Sequence, residues 1–210
     1  MDLKERVLVI NLEERNDRWK NIYESLKKLS ISPNLVKAIK APGSLGPGLS
    51  HLTCIEMAKN RGWDFLVVLE DDAKVEIDTF VRLQEIFPSL PENWDIVIGG
   101  ASGLKSCMGI HEEWIKIHFF TGLHFVIYRE SSYEMVLNWK KFPRTRGFKG
   151  VGSKLPHLDQ YLSMISQNNL NIYCPRKFIC RTENGYSDVR EREVDDTSIF
   201  DEAQKLALAC

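Results

Sequence analysis

Apolar residues in the first half of the chain occur in short β-prone runs that alternate with segments of helical spacing. The runs predicted as strands are residues 6–12, 34–39, 63–69 and 94–100. The segments predicted as helices, with apolar residues three and four positions apart, are 17–29, 50–60 and 78–87. This β-α-β-α-β-α-β order predicts an α/β fold, with a mixed, mainly parallel sheet and helices on both faces.

The second half of the chain is less regular. Residues 114–120 and 123–128 are predicted to form two strands that pair antiparallel with each other, and residues 171–174 form a last short strand. Helical spacing returns at 131–139 and 158–167. Three segments without a period are predicted as loops: a mobile Gly/Ser-containing loop at 101–109, a long basic loop at 140–156 and a polar stretch at 184–196.

Composition limits the class of protein and of partner. With 43% apolar and 10% aromatic residues, the 210-residue chain can bury a sizeable core, and we predict a single domain over residues 1–210. Lys and Arg together number 28 against 29 Asp and Glu, so no bulk field would attract nucleic acid or an anionic membrane. An anionic ligand must therefore be held by local groups.

Two further patterns bear on the cellular compartment. The apolar run after Arg6 is too short for a secretory signal, and no run approaches the roughly 20 residues of a membrane span. We therefore expect a cytoplasmic protein, or one peripheral to a membrane. The cysteines are odd in number and lack CxxC spacing, so all of them are expected to be reduced thiols: Cys54, Cys107, Cys174, Cys180 and Cys210.

Three consecutive carboxylates, Glu70, Asp71 and Asp72, follow the apolar run at 63–69. In open α/β sheets ligands bind outside the carboxyl ends of the strands. Carboxylates at that end can hold a divalent cation, which in turn can hold a phosphate ester. The alternative is a solvated acidic turn, which is common after strands.

Two other segments have candidate roles in binding a phosphorylated ligand. Asn11, Leu12 and Arg15 follow the first strand, the usual place for a nucleoside or phosphate in such sheets. In the segment Gly48 to His51, Ser50 is predicted to cap the helix that runs to Asn60, and a helix N-terminus can bind phosphate. The alternatives are that Arg15 is a solvated residue at a helix entry and that His51 has a structural role. Three more histidines are unranked candidates, either as metal partners or as core residues: His118, His124 and His157.

Seven segments, in order and over about residues 7–190, together resemble glycosyltransferase family 25, which includes lipopolysaccharide and collagen galactosyltransferases. These segments are Val9–Leu12 with Arg15 and Arg18, Gly48–His51, Leu69–Asp72, Trp94–Val97, Thr121–Gly122 before Phe125–Ile127, Leu158–Leu162, and Ser187–Asp188. The resemblance implies a GT-A fold and a metal-dependent transferase, using Mn²⁺ or Mg²⁺, that inverts configuration while moving a hexose from a UDP-sugar to a glycan, glycolipid or glycoprotein acceptor.

The resemblance also implies roles for individual residues. Asp72 would be a metal ligand, with Glu70 either a second ligand or a contact to ribose or to metal-bound water. The donor-binding residues would be Asn11, Leu12, Arg15, Ser50, His51, Glu70 and Asp71. Asp159, at the start of the helix after the basic loop, would be the base that takes the acceptor's proton, and Asp188 is a weaker candidate.

The basic loop at 140–156 has a candidate role of its own, and two other classes of protein are alternatives to a transferase. Arg144, Arg146, Lys149 and Lys154 would form a lid over the diphosphate. A phospho-acceptor receiver module also places acids after parallel strands, but it needs a single acceptor Asp on its third strand rather than a triplet. A non-catalytic sugar-nucleotide-binding domain would share the fold and lack the acceptor side.

Overall fold

The computed structural model describes residues 2–142, 157–167 and 169–210. Its strands are β1 (Val7–Asn11), β2 (Asn34–Lys37), β3 (Phe65–Glu70), β4 (Ala73–Lys74), β5 (Ile96–Ile98), β6 (Gly103–Gly109), β7 (Trp114–Thr121), β8 (Phe125–Arg129), β9 (Ile172–Pro175), β10 (Arg181–Thr182), β11 (Gly185–Ser187) and β12 (Arg192–Val194). Its α-helices are α1 (Asn16–Lys28), α2 (Leu45–Asn60), α3 (Ile77–Ile86), α4 (Glu130–Leu137), α5 (Leu158–Ile165) and α6 (Thr197–Ala209). Short 3₁₀ turns at Phe87–Ser89 and Asn138–Lys141 follow α3 and α4.

Among the described residues, eight strands form one mixed sheet in the order β2-β1-β3-β8-β5-β9-β7-β6. The pairs β1–β2, β1–β3 and β5–β9 are parallel, and the pairs β3–β8, β5–β8, β7–β9 and β6–β7 are antiparallel. In that described sheet, β7 and β8 therefore run against the direction that the other strands share. Small antiparallel pairs, β4 with β10 and β11 with β12, lie outside it.

Helices cover both faces of the sheet. Leu66 and Val68 of β3 pack in one core cluster with α2, α4, α5 and α6, whereas Val67 and Leu69 pack in the other with α1 and α3. Successive strand side chains point to opposite faces, so a strand covered on both sides needs an unbroken apolar run. The run before Glu70 has this composition, and the predicted α/β class with a mixed sheet and helices on both faces is confirmed.

Two predictions about the second half of the sheet are wrong. Strands β7 and β8 do not pair with each other, because β5 and β9 lie between them and supply their partners. The segment predicted as a mobile loop contains β6, an edge strand with irregular register against β7. Gly103 approaches the Thr121 side chain too closely for a larger residue, so its glycine marks close strand contact rather than a loop.

Helix α2 begins at Leu45, so the predicted cap at Ser50 is wrong. Pro47 lies in the first turn, where its missing N–H removes no helical hydrogen bond. Gly48 is needed because a Cβ there would collide with the indole of Trp139, and Gly46 likewise abuts the carbonyl of Ile39. Gly46 and Gly48 therefore serve helix packing.

The C-terminal helix α6, a segment without a sequence-based assignment, packs along β6. Cys107 of β6 and Cys210 form a disulfide across 103 positions of sequence. The expectation of reduced thiols is wrong for this pair, because the fold brings together cysteines that are remote in sequence. The other three cysteines are free and buried, as expected. Within the described ranges, none of the helices has the length and apolar character needed to cross a membrane.

Candidate functional site

The acidic triplet lies at the carboxyl end of β3, with Glu70 as the last residue of the strand. Strand β8 runs antiparallel to β3, and the register pairs Leu69 with Phe125. This places His124, the residue before β8, at the same end of the sheet, where its carbonyl accepts a 3.0 Å hydrogen bond from the Glu70 amide. The site is therefore assembled from two strands of opposite direction.

Glu70, Asp72 and His124 form a cluster that could hold a metal ion, with ligand atoms within 4.8 Å of one another. The Nδ1 atom of His124 lies 2.9 Å from Glu70 Oε2 and 3.5 Å from Asp72 Oδ1. In the described part of the chain, Asp72 Oδ1 and His124 Nε2 are buried without a hydrogen-bond partner. Buried polar atoms are normally satisfied, so these two atoms have unused capacity to bind a ligand.

The donor set fits a divalent ion with mixed oxygen and nitrogen ligands. Carboxylate oxygens suit Mn²⁺ and Mg²⁺, and imidazole nitrogen suits transition metals, so the combination favours Mn²⁺. A metal-bound histidine commonly donates its other ring N–H to a carboxylate. The contact between His124 Nδ1 and Glu70 has this arrangement, which makes Asp72 and His124 the stronger candidates for direct ligands.

Burial and charge shift the pKa values of this cluster. Burial raises the pKa of Glu70, but hydrogen bonds from His124 and His51 outweigh it and hold the pKa well below its usual range. Burial lowers the pKa of His124, yet Asp72 and Glu70 together raise it to about 10, so a metal ion would bind Nε2 by displacing its proton. Burial, followed by the charge of Asp72, raises the pKa of Asp71 to about 6, against the opposing effect of Arg18.

A hydrogen-bonded pair supports Glu70 from the core side. His51 of α2 is fully buried, and its Nε2 lies 3.3 Å from Glu70 Oε1. Its Nδ1 lies 3.0 Å from the hydroxyl of Tyr128 on β8. The neighbouring Ser50 is also fully buried, and its hydroxyl donates to Gly46 O and accepts from the amide of Ile39. Its hydrogen bond to Ile39 therefore connects the loop after β2 to helix α2.

Arginines and carboxylates alternate beside the triplet. Arg18 donates to Asp71 Oδ1 at 2.9 Å and to the carbonyl of Tyr186 at 2.5 Å. Arg15 donates to Asp188 Oδ2 at 2.5 Å and pairs with Asp17 at 3.1 Å. Asp188 follows β11, so the loop between β11 and β12 is held over the site by these contacts.

Two clefts, as defined by the described residues, meet at the acidic triplet. One has a volume of about 450 Å³ and the other about 340 Å³, and both are lined by Arg18, Glu70 and Asp72. The smaller, the β2-side cleft, includes Leu12 and the loop at 38–43. The larger, the α5-side cleft, includes His124 and Asp159. A ligand with two unlike halves could therefore place its junction at the triplet.

Asn11 lines neither cleft, whereas Asp159 lines the α5-side cleft. Asn11 ends β1, and its Nδ2 donates to Leu12 O at 2.6 Å, whereas its Oδ1 is buried with no partner among the residues described. Asp159 lies in the first turn of α5, as predicted, and accepts from the Gly122 amide at 3.1 Å and from the Gln160 amide at 2.7 Å. These two bonds fix the carboxylate at the wall of the α5-side cleft.

The sequence-predicted residues are thus only partly brought together. The triplet, His51, Leu12 and Asp159 contact or surround the two clefts, while Ser50 is enclosed. The candidate lid residues, 144, 146, 149 and 154, lie outside the described residues. Tyr128 carried no sequence signal for a role in the site, because a tyrosine in an apolar strand looks like any core residue. His124 could not be ranked above His118 or His157 without knowing that β8 pairs with β3.

No protein-family model matches this chain, and no curated protein matches it. Among solved structures, A197 from STIV is similar over 90% of this chain and 91% of its own, with 14% identity and a TM-score of 0.49. A glycosyltransferase involved in the glycosylation of the major capsid of PBCV-1 is similar over 94% of this chain and 98% of its own, with 8% identity and a TM-score of 0.49. A mutant of Drosophila β1,4-galactosyltransferase 7, in complex with manganese, UDP-Gal and xylobiose, is similar over 89% of this chain and 68% of its own. The identity is 11% and the TM-score is 0.44.

Proposed function

We propose that this protein is a metal-dependent glycosyltransferase of the GT-A type, related to family 25, that moves a hexose from a UDP-sugar to a hydroxyl of a glycan, glycolipid or glycoprotein. The observation that carries the proposal is the junction of the two clefts at Asp72 and His124, whose Oδ1 and Nε2 atoms are buried and have no hydrogen-bond partner among the described residues. Nucleotide sugars have two unlike halves joined by a diphosphate, and the junction has the groups that such a diphosphate needs.

Asp72 and His124 would hold the metal, with Glu70 fixing the imidazole from its Nδ1 side. When bound, a divalent ion at this position would neutralise the charge that develops on the departing diphosphate. Arg18 lies 3.9 Å from Asp72 Oδ2, and Arg15 pairs with Asp188 in the loop after β11. The planar guanidinium groups of both residues match phosphate oxygens. Binding of a phosphate by Arg15 would require Asp188 to give up its contact.

In the β2-side cleft the nucleoside half would lie against Leu12 and the loop at 38–43. In the α5-side cleft, Asp159 would accept the proton of the acceptor hydroxyl as its oxygen attacks the anomeric carbon. A new glycosidic bond forms, the bond from that carbon to the diphosphate oxygen breaks, and the diphosphate leaves with the bonding electrons. Attack opposite the leaving group inverts the anomeric configuration.

Calorimetric titration with UDP, UDP-sugars and other nucleotides, in Mn²⁺ and in EDTA, tests the donor and metal assignments. We expect selective, Mn²⁺-dependent binding of a UDP-sugar. Asp72→Asn should abolish the metal dependence, whereas the matched control Asp78→Asn, on the exposed start of α3, should retain it. Equal affinity of the wild-type protein in Mn²⁺ and in EDTA would contradict the metal role.

Asp159→Asn separates an enzyme from a binding domain. The amide keeps the side chain's size and one acceptor oxygen but cannot take up a proton, so donor binding should persist while transfer is lost. Transfer at near the wild-type rate would place the base elsewhere. Absence of transfer by the wild-type protein across an acceptor panel, with intact donor binding, would favour a non-catalytic domain.

A further inference from the structure

A hydrogen-bonded chain leads from the centre of the sheet to Glu70 through two fully buried residues. Tyr128 OH lies 3.0 Å from His51 Nδ1, and His51 Nε2 lies 3.3 Å from Glu70 Oε1. The three residues come from β8, α2 and β3, so the chain joins a helix to two neighbouring strands. Both Tyr128 and His51 have an exposed fraction of 0%, and His51 lies in the wall of the α5-side cleft.

The chemistry of the partners fixes the direction of each hydrogen bond. An ionised carboxylate only accepts, so His51 Nε2 must carry the hydrogen that it shares with Glu70. In the tautomer with hydrogen on Nε2 alone, Nδ1 is an acceptor, and the Tyr128 hydroxyl donates to it. Burial raises the pKa of Tyr128 well above its usual value, which keeps the phenol protonated and able to donate.

Glu70 passes this constraint to the other histidine. Its Oε1 is occupied by His51, which leaves Oε2 to accept from His124 Nδ1 at 2.9 Å. We propose that Tyr128 and His51 are positioning residues, which hold Glu70 in the rotamer that orients the His124 imidazole toward the metal position beside Asp72. This inference rests on the proposed metal-dependent function, and it gives His51 a supporting role in place of contact with the donor.

Tyr128 and His51 could also serve only to satisfy each other's buried polar atoms, and replacing Tyr128 would then leave His124 unchanged. The test must therefore measure the state of His124. Tyr128→Phe removes the hydroxyl and nothing else. Tyr133→Phe is the matched control. Tyr133 belongs to α4, away from the triplet, is 2% exposed, and donates a 3.1 Å hydrogen bond to the Trp63 carbonyl. Both variants lose one buried hydrogen bond and should lose similar thermal stability.

The first measurement is ¹⁵N NMR of the histidine rings in metal-free protein. In the wild type, His51 should show the tautomer with hydrogen on Nε2. The ring signals of His124 should shift or broaden in Tyr128→Phe and stay unchanged in Tyr133→Phe. A His51 hydrogen on Nδ1 in the wild type, or His124 signals that are the same in both variants, would overturn the inference.

The second measurement is Mn²⁺ affinity without nucleotide. Changes to residues that orient metal ligands commonly weaken binding about 10–100-fold, so we expect Tyr128→Phe to lose about tenfold and Tyr133→Phe less than twofold. Equal affinities would overturn the inference. His51→Gln, whose amide can accept from Tyr128 and donate to Glu70, should retain more affinity than His51→Leu. If the wild type binds no Mn²⁺, the proposed metal role fails, and the NMR comparison alone decides the positioning role.

Discussion

Replacing Asp71 with asparagine should stabilise the metal-free protein at neutral pH. The Asp71 carboxylate is 11% exposed, and burial together with the charge of Asp72 raises its pKa from 3.8 to about 6. Folding thus favours the neutral form. A tenfold difference in proton affinity corresponds to about 1.36 kcal/mol, so above both pKa values the ionised group opposes folding by about 3 kcal/mol.

The sign and the pH range follow from linkage. A raised folded-state pKa means that the folded protein binds the proton more tightly, so the unfavourable contribution is complete above about pH 6 and disappears below the unfolded value of 3.8. The gain from Asp71→Asn should therefore be about 3 kcal/mol at pH 7.5 and about half that at pH 5. The pKa of about 6 already includes the pairing with Arg18, which opposes the rise.

The assay is urea unfolding in EDTA at pH 7.5 and pH 5, followed by fluorescence of the buried tryptophans. The control Asp64→Asn changes an exposed carboxylate paired with Arg6, at the other end of β3, and should alter stability by less than about 0.5 kcal/mol at either pH. Destabilisation by Asp71→Asn at pH 7.5, or a gain of equal size at both pH values, would refute the electrostatic reasoning. Saturating Mn²⁺ should shrink the gain, because a bound cation favours the ionised carboxylate.

Three other changes have expected outcomes. Asp188→Asn removes a partly exposed carboxylate from Arg15, an interaction of about 1 kcal/mol, and UDP affinity measured by calorimetry should rise about fivefold; weaker binding would give Asp188 a direct role. Cys107→Ser removes a disulfide that closes a loop of 103 positions, for which loop entropy contributes at most about 4.7 kcal/mol to stability. Urea unfolding should show that the free energy of unfolding falls by about 2–4 kcal/mol, and a reducing agent should not lower it further. Gly48→Ala forces a methyl group against the ring of Trp139, and thermal unfolding should show a loss of about 1–3 kcal/mol, as overpacked cores do.

The sequence predicted those elements that are specified locally. Strand β3 is buried on both faces, so its apolar run is continuous, and α1 shows a clear helical period over Asn16–Lys28. The carboxylates after β3 were visible for the same reason, because their position depends only on where that strand ends. Helical spacing likewise predicted Asp159 at the start of α5, whereas its role as a base is implied only by the family resemblance.

Features specified by distant parts of the chain were not predictable. The packing role of Gly46 and Gly48 could not be predicted, because the partners that require them, Ile39 and Trp139, are brought close only by the fold. Strand β6 ends the sheet formed by the described residues, and its irregular register against β7 removes the regular alternation expected of a strand. His124 joined the site through the pairing of β8 with β3, an order that periodicity cannot reveal.

The insertion of β8 between β3 and β5 has a consequence for how the proposed metal site forms during folding. Glu70 and His124 are 54 residues apart, and β8 must align with β3 before their side chains meet. Pairings between distant segments form late, because closing the intervening chain costs entropy before any contact is gained. A growing chain that has emerged only as far as the acidic triplet therefore has carboxylates without the imidazole. Metal should stabilise the completed sheet and have little effect on the rate at which it assembles.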